Sequence, residues 1–403
     1  MKIWFVNHYA VPPTQAGGTR HYTLARELIA LGHDVTLIAS SFDHTTRSET
    51  RLKPGSDSLL EKVAGVPFLW IRTPPYTGNS FSRLRNMVGF ARLLPSQTRQ
   101  LPSPDIVIGS SPHLFAATGA EKLAASRHVP FVMEVRDLWP ESLIQLGNMK
   151  RHHPLVLLMT VLEKRLYRKA RRIFTLLPGS ADHMVAKGAI RQHIISIPNG
   201  IDLHLVPPSS PPVERETFTV LYAGAHGLAN GLDTILDAAG TLIKSGDPKL
   251  RFRLIGDGPN KPALKERARL EGLTNVEFCD PVPKSQIFNV MQEADALIAM
   301  LKDVDLFQHG VSPNKLFDYM ACSRPIIFGI RSSNNPIQEA NAGITVPPEN
   351  PQSIIAAMKQ LSSLPLSQRW EMGLRARKYV EENHDFAKLS RRMHEALLQV
   401  LPE

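Results

Sequence analysis

The stretch that decides the fold runs from Gly310 to Ile327 and reads GVSPNKLFDYMACSRPII. A proline near its start favours the first turn of a helix, and the apolar residues at 316, 317 and 320 recur at helical spacing. The pair Arg324-Pro325 then ends the helix and opens an apolar strand. The stretch therefore predicts a tight turn, a short helix and a buried strand, as in a parallel α/β sheet.

Two charged residues of this helix, Lys315 and Asp318, lie close to its amino end. Free N–H groups and the positive end of the helix dipole favour a phosphate there, which Lys315 could also contact. The alternative is a helix that packs on a sheet and leaves both charges in solvent. The stretch alone does not separate these two interpretations.

The size and composition of the chain indicate a globular protein of two domains. Its 403 residues exceed one ordinary core, and 43% hydrophobic with 21% charged residues is typical of folded domains. The two cysteines form neither a disulfide framework nor a metal-ligand pattern, which suits a reducing cytoplasm. Residues 1–8 read as a first strand and not as a signal peptide, and no apolar run approaches the ~20 residues of a membrane span.

The net charge of +10 is concentrated in the first half of the chain. Residues 1–200 hold 25 Lys and Arg against 13 Asp and Glu, or +12, whereas residues 201–403 hold 22 against 24, or −2. Residues 62–104 contain no acidic residue at all. This distribution predicts an anionic partner for the first half: a phosphate-rich surface, nucleic acid or acidic lipids.

Apolar strands alternate with amphipathic helices along both halves of the chain. The predicted strands lie near 2–7, 34–39, 66–72, 105–109, 129–135, 172–177 and 193–197, and then near 218–223, 250–255, 276–279, 295–300, 325–328 and 343–346. This alternation predicts an α/β protein with two Rossmann-like, doubly wound parallel-sheet domains that face a cleft. A Pro- and Ser-rich segment separates them, so we expect domains at 1–203 and 217–375, a linker at 204–216, and a C-terminal helix at 376–403.

Ligands of open α/β sheets bind outside the carboxyl ends of the strands, which makes the loops there the candidate sites. In the first domain the candidates are His8, Tyr9, Gly17, Gly18, His113, Arg136, Asp137 and Trp139, and in the second they are Gly224, His226, Gly256 and Gly258. Glycines allow a ligand close to the backbone, His113 could donate a hydrogen bond to a hydroxyl, and Trp139 could stack on a sugar ring. Plain turns, an exposed loop histidine and a loop-anchoring Arg136–Asp137 pair remain the structural alternatives.

Several enzyme classes lack their motifs in this sequence. The spacing of the glycines does not match the dinucleotide fingerprint, and there is no Walker A loop, no G-x-S-x-G elbow, no H-E-x-x-H and no C-x-x-C. Ordinary NAD enzymes, ATPases, hydrolases and zinc enzymes are therefore not expected.

The candidate segments together resemble a known family. They are 17–18, 137–142, 198–202, 222–224, 254–258 and 310–327, in that order and spacing. The whole chain is similar to the retaining glycosyltransferases of family 4, which have the GT-B fold. Residues 137–141 with 315–319 look like the subgroup that includes L-fucosaminyltransferases of bacterial O-antigen and capsule synthesis.

The resemblance implies roles for the residues of the stretch 310–327. In the family this stretch carries E-x7-E, whose second Glu binds the donor ribose; Asp318 takes that position here, and the first Glu falls on Gly310. Relatives place Arg and Lys on the donor diphosphate where this chain has His226 and, roughly, Asn230, so Lys315 is the cation expected to compensate. The implied donor contacts along the stretch are Gly310, Val311, Ser312, Asn314, Lys315 and Asp318. From the other loops, the expected donor contacts are Gly17, Gly18, Gly224, His226, Gly256 and Gly258.

The resemblance also implies a mechanism and partners. Transfer with retention needs no metal ion and no cofactor, the donor is a nucleotide sugar with UDP favoured over GDP, and the catalytic residues are His113, Lys315 and Asp318, with His113 positioning the sugar. The first domain is the acceptor side, with contacts from His8, Tyr9, Arg136, Asp137 and Trp139. The second domain binds the nucleotide sugar, and the C-terminal helix packs back on the first.

The resemblance suggests a role in membrane binding for the basic region 81–99. Its apolar residues interleave with Arg83, Arg85 and Arg92, as in an interfacial amphipathic helix. We expect it to dock a cytoplasmic enzyme on the inner membrane, near a lipid-diphosphate-linked saccharide acceptor. The alternative is a basic helix that covers the sheet in solution.

Two other functions compete with the transferase. A sugar-nucleotide 2-epimerase of the same architecture would need acid–base carboxylates that the predicted cleft does not offer. A nucleic-acid-binding protein is suggested by the charge alone, but the chain has no recognisable binding motif.

Overall fold

The chain folds into two compact units. The structure, a computed structural model, describes residues 1–15, 18–78 and 81–401. Unit 1 comprises Met1–Asn199, His309–Val311 and the chain from Phe386 onward, and unit 2 comprises Gly200–Gln308 and Ser312–Asp385. Each unit carries a sheet of mainly parallel strands, which confirms the predicted α/β class with two parallel-sheet domains.

Unit 1 is built on one large sheet. Its strands are β1 (Lys2–Val6), β2 (Asp34–Ser40), β3 (Phe42–Asp43), β4 (Ser48–Glu49), β5 (Ser58–Val63), β6 (Val66–Ile71), β7 (Ile106–Ser110), β8 (Phe131–Val135), β9 (Arg172–Thr175) and β10 (Ile194–Ser196). Eight of the described strands pair in the order β10-β9-β8-β7-β1-β2-β6-β5, and β3 and β4 form a separate small hairpin. All the pairs in the large sheet are parallel except β5 with β6.

The antiparallel edge strand β5 is absent from the sequence prediction. It joins β6 through Ala64 and Gly65, both with positive φ, in a two-residue turn of the kind that connects hairpin strands. Alanine rarely adopts positive φ, so Ala-Gly carries a weaker turn signal than Asn-Gly. The leucines of β5 are half-exposed at this edge, which removes the apolar run that marks a buried strand.

The helices of unit 1 lie on both faces of its sheet. They are α1 (Arg20–Ala30), α2 (Phe81–Gln97), α3 (Leu114–Ser126), α4 (Glu141–Gln145), α5 (Pro154–Lys169) and α6 (Ala181–Ala186). The chain moves one way along the sheet from β1 to β2 and the other way from β6 to β9. Right-handed crossovers therefore put α1 on one face and α2, α3 and α5 on the other, where α3 contacts both α2 and α5.

Unit 2 has a fully parallel six-stranded sheet within the described chain. Its strands are β11 (Phe218–Ala223), β12 (Leu250–Ile255), β13 (Val276–Cys279), β14 (Ala296–Met300), β15 (Ile326–Gly329) and β16 (Gly343–Val346), in the order β13-β12-β11-β14-β15-β16. The helices are α7 (Leu232–Lys244), α8 (Lys261–Leu270), α9 (Lys284–Gln292), α10 (Asn314–Ala321), α11 (Pro336–Glu339), α12 (Pro351–Ser363) and α13 (Leu366–Asn383). Apolar faces of α7 and α12 pack on the sheet and form its core.

The last helix, α14 (Phe386–Leu398), belongs to unit 1 and packs against α1. Its buried Leu389 and Met393 join the same core as Leu24 and Leu28 of α1. The chain thus enters unit 2 after Asn199 and leaves it after Asp385.

The Pro- and Ser-rich segment after Val206 is fastened to unit 2. Ser209 Oγ lies 2.5 Å from Ser323 Oγ, and Ser210 Oγ donates to Gln292 Oε1 at 2.7 Å. The buried Arg324 guanidinium donates to the Ser210 carbonyl at 2.9 Å. Low hydrophobicity alone suggested a loose linker, whereas side-chain hydrogen bonds hold this part of it in place.

Across the ranges 1–15, 18–78 and 81–401, no helix combines the length and apolarity that crossing a bilayer requires.

Candidate functional site

Each sheet reverses its strand order at one point, where open α/β folds bind ligands. In unit 1 this point lies between β1 and β7, which lead into His8 and His113. In unit 2 it lies between β11 and β14, which lead into the loop of His226 and the approach to α10. Several of the residues predicted from the sequence therefore lie at the two switch points.

Lys315 is a half-buried cation with neutral partners. Its Nζ donates to Tyr222 Oη at 3.1 Å and to Asn230 Oδ1, and it lies 4.9 Å from the centroid of the Tyr222 ring. Burial lowers the pKa of Lys315 to about 8. No carboxylate within the described ranges forms an ion pair with it. A cation in this setting gains from an anionic ligand, which restores the charge compensation that burial removes.

His226 is buried at the same switch point, with 0% of its surface exposed. Its backbone N–H donates to Asp257 O at 2.8 Å, and its carbonyl accepts from Asn260 N–H at 3.0 Å. Neither Nδ1 nor Nε2 has a hydrogen-bond partner. Burial lowers the pKa of His226, as do the nearby cations Lys261 and Lys315, whereas Asp257 raises it. Buried polar atoms are costly when unpaired, so this ring points to a ligand that would supply partners.

Two predicted donor glycines hold neighbouring loops together. Gly256 has φ 138°, and a Cβ there would lie 2.0 Å from the carbonyl oxygen of Gly224. A Cβ on Gly258 would lie 2.6 Å from the carbonyl oxygen of His226. Lys261 Nζ donates to Gly256 O at 2.8 Å and braces the same loop. The packing of 256–258 on 224–226 thus accounts for both glycines, and their contact with a donor stays a prediction.

Helix α10 is fixed to the end of β11 by Tyr319. The Tyr319 hydroxyl accepts from Ala223 N–H at 2.7 Å and donates to Ala223 O at 2.8 Å. Pro313 occupies the N-cap position, one residue before the helix, and no side chain caps the end. The amino end of α10, where Lys315 is the second residue, is thus held at the end of β11, and its contact with a phosphate stays a prediction.

Asp318 is half-buried on α10. Burial raises its pKa to about 6, and Lys284 acts in the opposite direction. Within the described residues no hydrogen bond from another side chain reaches its carboxylate. Asp318 is thus able to accept a hydrogen bond from a ligand hydroxyl.

The segment before α10 differs from the family pattern for a conformational reason. Gly310 has φ 99°, in the left-handed region that disfavours side chains. A glutamate there would be strained in this backbone conformation. Val311 is buried, Ser312 is half-buried and Asn314 is exposed. Their contact with a donor stays a prediction.

In unit 1, His8 and His113 form a chain of neutral imidazoles. His113 Nδ1 accepts from Ala116 N–H at 3.2 Å, so its proton sits on Nε2, which donates to His8 Nδ1 at 2.7 Å. Burial lowers the pKa of His113 to about 3 and, with His113 beside it, that of His8 well below its usual value. Both nitrogens of His113 are engaged inside the fold, so its predicted role in positioning a sugar stays a prediction.

A buried ionic network lies next to the His8–His113 pair. The Glu134 carboxylate accepts from Arg20 Nε at 2.9 Å and from His21 Nε2 and Ser110 Oγ at 2.6 Å each. His21 also contacts Asn7 Nδ2 at 2.8 Å, and Arg20 donates to the Ile197 carbonyl. Burial alone would raise the pKa of Glu134, but His21 and Arg20 hold it well below its usual range.

Tyr9 lies against the same histidines. Its ring centroid is 4.5 Å from that of His8 and 5.6 Å from that of His113. Burial raises the pKa of Tyr9 to about 12, whereas Arg83 lowers it; Arg83 also lowers the pKa of both histidines. The structure thus brings His8, Tyr9 and His113 together and adds Arg83 to them.

Within the part of the chain that the structure describes, the remaining candidates of unit 1 make no hydrogen bond to His8, Tyr9 or His113. Arg136 N–H donates to Ser111 Oγ at 3.2 Å, Asp137 is exposed, and the half-buried Trp139 precedes a cis peptide bond to Pro140. Trp139 Nε1 is buried without a hydrogen-bond partner. Gly18 is half-buried, and Gly17 lies outside the described residues.

Helix α2 is present, but its apolar residues Phe90 and Leu94 are buried inside unit 1 and do not form the exposed apolar face of an interfacial helix. Asn86, Phe90 and Leu94 are buried, and the helix packs on α3. Phe90 stacks on the His8 ring at 4.4 Å. Phe81 is the large apolar side chain of this helix that is well exposed, next to Arg85 and Arg92. This packing agrees with the alternative of a helix that covers the sheet.

Sequence reasoning missed the residues that hold the sites in place. Glu134, Arg20 and His21 form the network of unit 1, and Tyr222 and Lys261 brace the loops of unit 2. A signal existed for Glu134, since it is the one charge in the apolar strand β8. Its partners come from helix α1 and could not be inferred from spacing.

Within the described ranges, no three His, Cys, Asp or Glu side chains group together in a way that could hold a metal ion.

Comparison with protein families matches both units of the chain. Residues 16–200 match a family described as "Glycosyl transferase 4-like domain", and residues 217–363 match "Glycosyl transferases group 1". A relative from Escherichia coli K12, named as a colanic acid biosynthesis glycosyl transferase, WcaI, is 24% identical over 354 residues, which cover 81% of this chain and 82% of that one.

Solved structures agree with the architecture. Sucrose-phosphate synthase from Thermosynechococcus elongatus superposes with a TM-score of 0.77 at 14% identity, over 99% of this chain and 98% of that one. HepE from Anabaena, in complex with UDP and glucose, gives 0.67 at 14% identity, over 98% and 99%. These similarities show the GT-B fold that the sequence predicted. The chain is therefore a glycosyltransferase, composed of a glycosyl transferase 4-like domain followed by a glycosyl transferases group 1 domain.

Proposed function

We propose that this enzyme moves a sugar, with retention of configuration, from a UDP-sugar to a lipid-linked or saccharide acceptor in bacterial surface polysaccharide synthesis. The observation that carries the proposal is that the half-buried Lys315 and the buried, unpartnered ring of His226 both lie at the switch point of unit 2. Support comes from HepE, whose structure contains UDP and glucose, and from WcaI, whose name refers to colanic acid. Within this function we favour the subgroup of L-fucosaminyltransferases.

Unit 2 would bind the nucleotide part of the donor through residues 217–375. Lys315, His226 and the amino end of α10 would contact the diphosphate, and Asp318 would accept a hydrogen bond from a ribose hydroxyl. These groups gain most when negative charge builds up on the leaving diphosphate, so they lower the barrier to its departure. Because they supply this compensation, the proposal requires no metal ion.

The transfer step exchanges one bond for another at the anomeric carbon. The bond from this carbon to the diphosphate oxygen breaks, and a bond to the acceptor oxygen forms on the same face. The acceptor hydroxyl gives its proton to the departing phosphate oxygen, so charge and atoms balance without a protein base. His113 is proposed to position the sugar.

Unit 1 would bind the acceptor through residues 1–203. The cluster of His8 and Tyr9 offers aromatic faces and Arg83 brings a positive charge to it. This combination suits a sugar carried on a diphosphate. Arg136, Asp137 and Trp139 remain proposed acceptor contacts at the end of β8. We place the enzyme at the cytoplasmic face of the inner membrane, where such acceptors are assembled.

A thermal-shift screen of nucleotides tests this function most directly. Binding to the native state raises the unfolding temperature, so UDP and UDP-sugars should stabilise the protein and GDP and TDP should do so less. An absence of any shift with all three nucleotides would argue against the proposal. Conversion of a UDP-sugar to its epimer without an acceptor would favour the epimerase instead.

A further inference from the structure

Helix α5 exposes apolar side chains that nothing in unit 1 covers. Leu157, Leu158 and Val161 are 55%, 47% and 64% exposed, although all three are aliphatic. Val161 lies four and three residues after the adjacent Leu157 and Leu158, so the three share one face of the helix, and the buried Met159 and Leu166 lie on the other. The exposed face is therefore a contiguous apolar patch, not three scattered residues.

Basic residues surround this patch at both ends. From 142 to 181 the chain has eight Lys and Arg, namely Lys150, Arg151, Lys164, Arg165, Arg168, Lys169, Arg171 and Arg172, and a single acid, Glu163, which is fully buried. Lys164 and Arg168 continue the face of Leu157 and Val161 by helical spacing, and Lys150 precedes the helix. Arg151 and Arg165 pair with Glu141 and Glu121, but Lys150, Lys164, Arg168 and Lys169 have no ion-pair partner in the described chain.

We propose that the face formed by Leu157, Leu158, Val161, Lys164 and Arg168, with Lys150 beside it, docks unit 1 on a bilayer of anionic lipids. An apolar face between cationic ends is the pattern of an interfacial helix, whose aliphatic side chains enter the acyl boundary while Lys and Arg meet the headgroups. The inference rests on the proposed function, because a lipid-linked acceptor places the reaction at such a surface.

A second copy of the chain suits this face less well. A symmetric dimer would bring the same surface of two molecules together, so cations at both ends of the patch would repel in either orientation of the helices. Three exposed aliphatic side chains also fall short of the ~1,200 Å² that stable interfaces bury. The anionic bilayer satisfies the apolar and the charged parts of the face together.

The proposal moves the membrane contact from α2 to α5. The buried Phe90 and Leu94 of α2 cannot reach a bilayer while they pack on α3. Among the described residues of α2, Arg85 and Arg92 are exposed, and Phe81 is the one large apolar side chain of that helix that is well exposed with them. They provide a matched test of positive charge beside a single apolar side chain, without a patch of three.

Vesicle flotation tests the proposal with the full chain. Wild type should float with vesicles of phosphatidylglycerol and phosphatidylethanolamine, and should float far less with phosphatidylcholine alone. L157D/V161D and K164E/R168E should each lower the bound fraction at least tenfold, whereas R85E/R92E should stay within about twofold. L270D serves as the control for an exposed leucine on a helix of unit 2, and it should bind as wild type does. Circular dichroism and the unfolding temperature establish that each variant is folded.

Three results would overturn the proposal. They are wild type that does not float, L157D/V161D that binds unchanged, and loss of binding in R85E/R92E alone, which would return the contact to α2. Light scattering on a sizing column measures the oligomeric state and so tests whether a second copy of the chain covers the face. A wild-type dimer that L157D/V161D converts to a monomer would assign the face to that second copy. Stabilisation of wild type by UDP needs no vesicles, so it shows separately whether the proposed function stands.

Discussion

The two switch points of this enzyme differ in how their polar groups are satisfied. In unit 1, Glu134 accepts three hydrogen bonds and the His8–His113 pair is joined to the helix end of α3. In unit 2, His226 has two buried nitrogens without partners, and Lys315 contacts neutral oxygens. In unit 1 the Glu134 network is thus satisfied within the protein, although His8 Nε2 beside it is buried without a hydrogen-bond partner. In unit 2 the lysine and the histidine ring at the switch point would both gain from an anionic ligand.

This difference suggests a division of labour. Groups that satisfy one another stabilise the fold and fix the shape of a surface, whereas groups left unsatisfied cost stability and repay it on binding. Substitutions in the Glu134 network should therefore act mainly on stability, and substitutions of Lys315 and His226 mainly on binding and rate. The following experiments test whether the two sites differ in this way.

The largest effect is expected from Glu134→Gln. It leaves the buried Arg20 without its counter-ion, and breaking such a pair costs about 3–5 kcal/mol of unfolding free energy. Urea unfolding measures the loss. Glu27→Gln removes the partly exposed pair with Arg26 and should cost less than about 1 kcal/mol. Equal losses in the two variants would mean that the network does not hold unit 1 together.

Lys315→Ala should act on catalysis and not on stability. Removing a preorganised donor to the leaving group typically lowers the rate by about 10²–10³. The unfolding temperature should stay the same or rise, because the lysine is half-buried without a carboxylate partner. Steady-state kinetics with a UDP-sugar measures kcat/KM, and Lys265→Ala on the exposed side of α8 is the control. A loss of less than threefold would make α10 a scaffold only.

His226→Gln should weaken nucleotide binding by about tenfold. A hydrogen bond to a charged group contributes roughly 1.5–3 kcal/mol, and glutamine retains part of it. Calorimetric titration with UDP gives the dissociation constant, and unfolding in the absence of nucleotide should be unchanged. Unaltered affinity would contradict the idea that the empty imidazole nitrogens serve the donor.

The pH dependence of kcat/KM should show an alkaline limb. The pKa of Lys315 is about 8 in the free enzyme, so raising the pH above 8 removes its proton and the charge that binds the diphosphate. The decline approaches tenfold per pH unit, and free-enzyme groups are what kcat/KM reports. Lys315→Arg should lose the limb between pH 8 and 9.5. A limb that persists in that variant belongs to another group.

The sequence predicted the parallel strands well, for physical reasons. Strands buried on both faces are continuous apolar runs, and β14 and β15 are examples. Lys315 and Asp318 stood out because a helix start with a lysine is a local pattern. Contacts between residues far apart in the chain leave no local sequence pattern. The contact of Lys315 with Tyr222, 93 positions away, therefore could not be predicted from the sequence.

Helix α2 shows how one pattern supports two outcomes. Interleaved arginines and apolar residues fit an interfacial helix and also a helix that covers a sheet, since both need one apolar side. The neighbouring α3 decides between them, because it packs on Phe90 and Leu94. Conversely, α5 reads as an ordinary amphipathic helix, and its extra apolar residues are revealed only by their exposure.

The joining of the two ends of unit 2 has a consequence for engineering. Ile201 N–H donates to the carbonyl of His384 at 2.8 Å, and Ile201 forms a backbone bridge with Asp385. Residues 200–385 therefore begin and end at the same place, which is the geometry that tolerates insertion of one domain into another. Unit 2, which we propose binds the nucleotide sugar, could thus be exchanged as a single cassette between related enzymes, with both junctions cut at one point, to recombine donor and acceptor preferences.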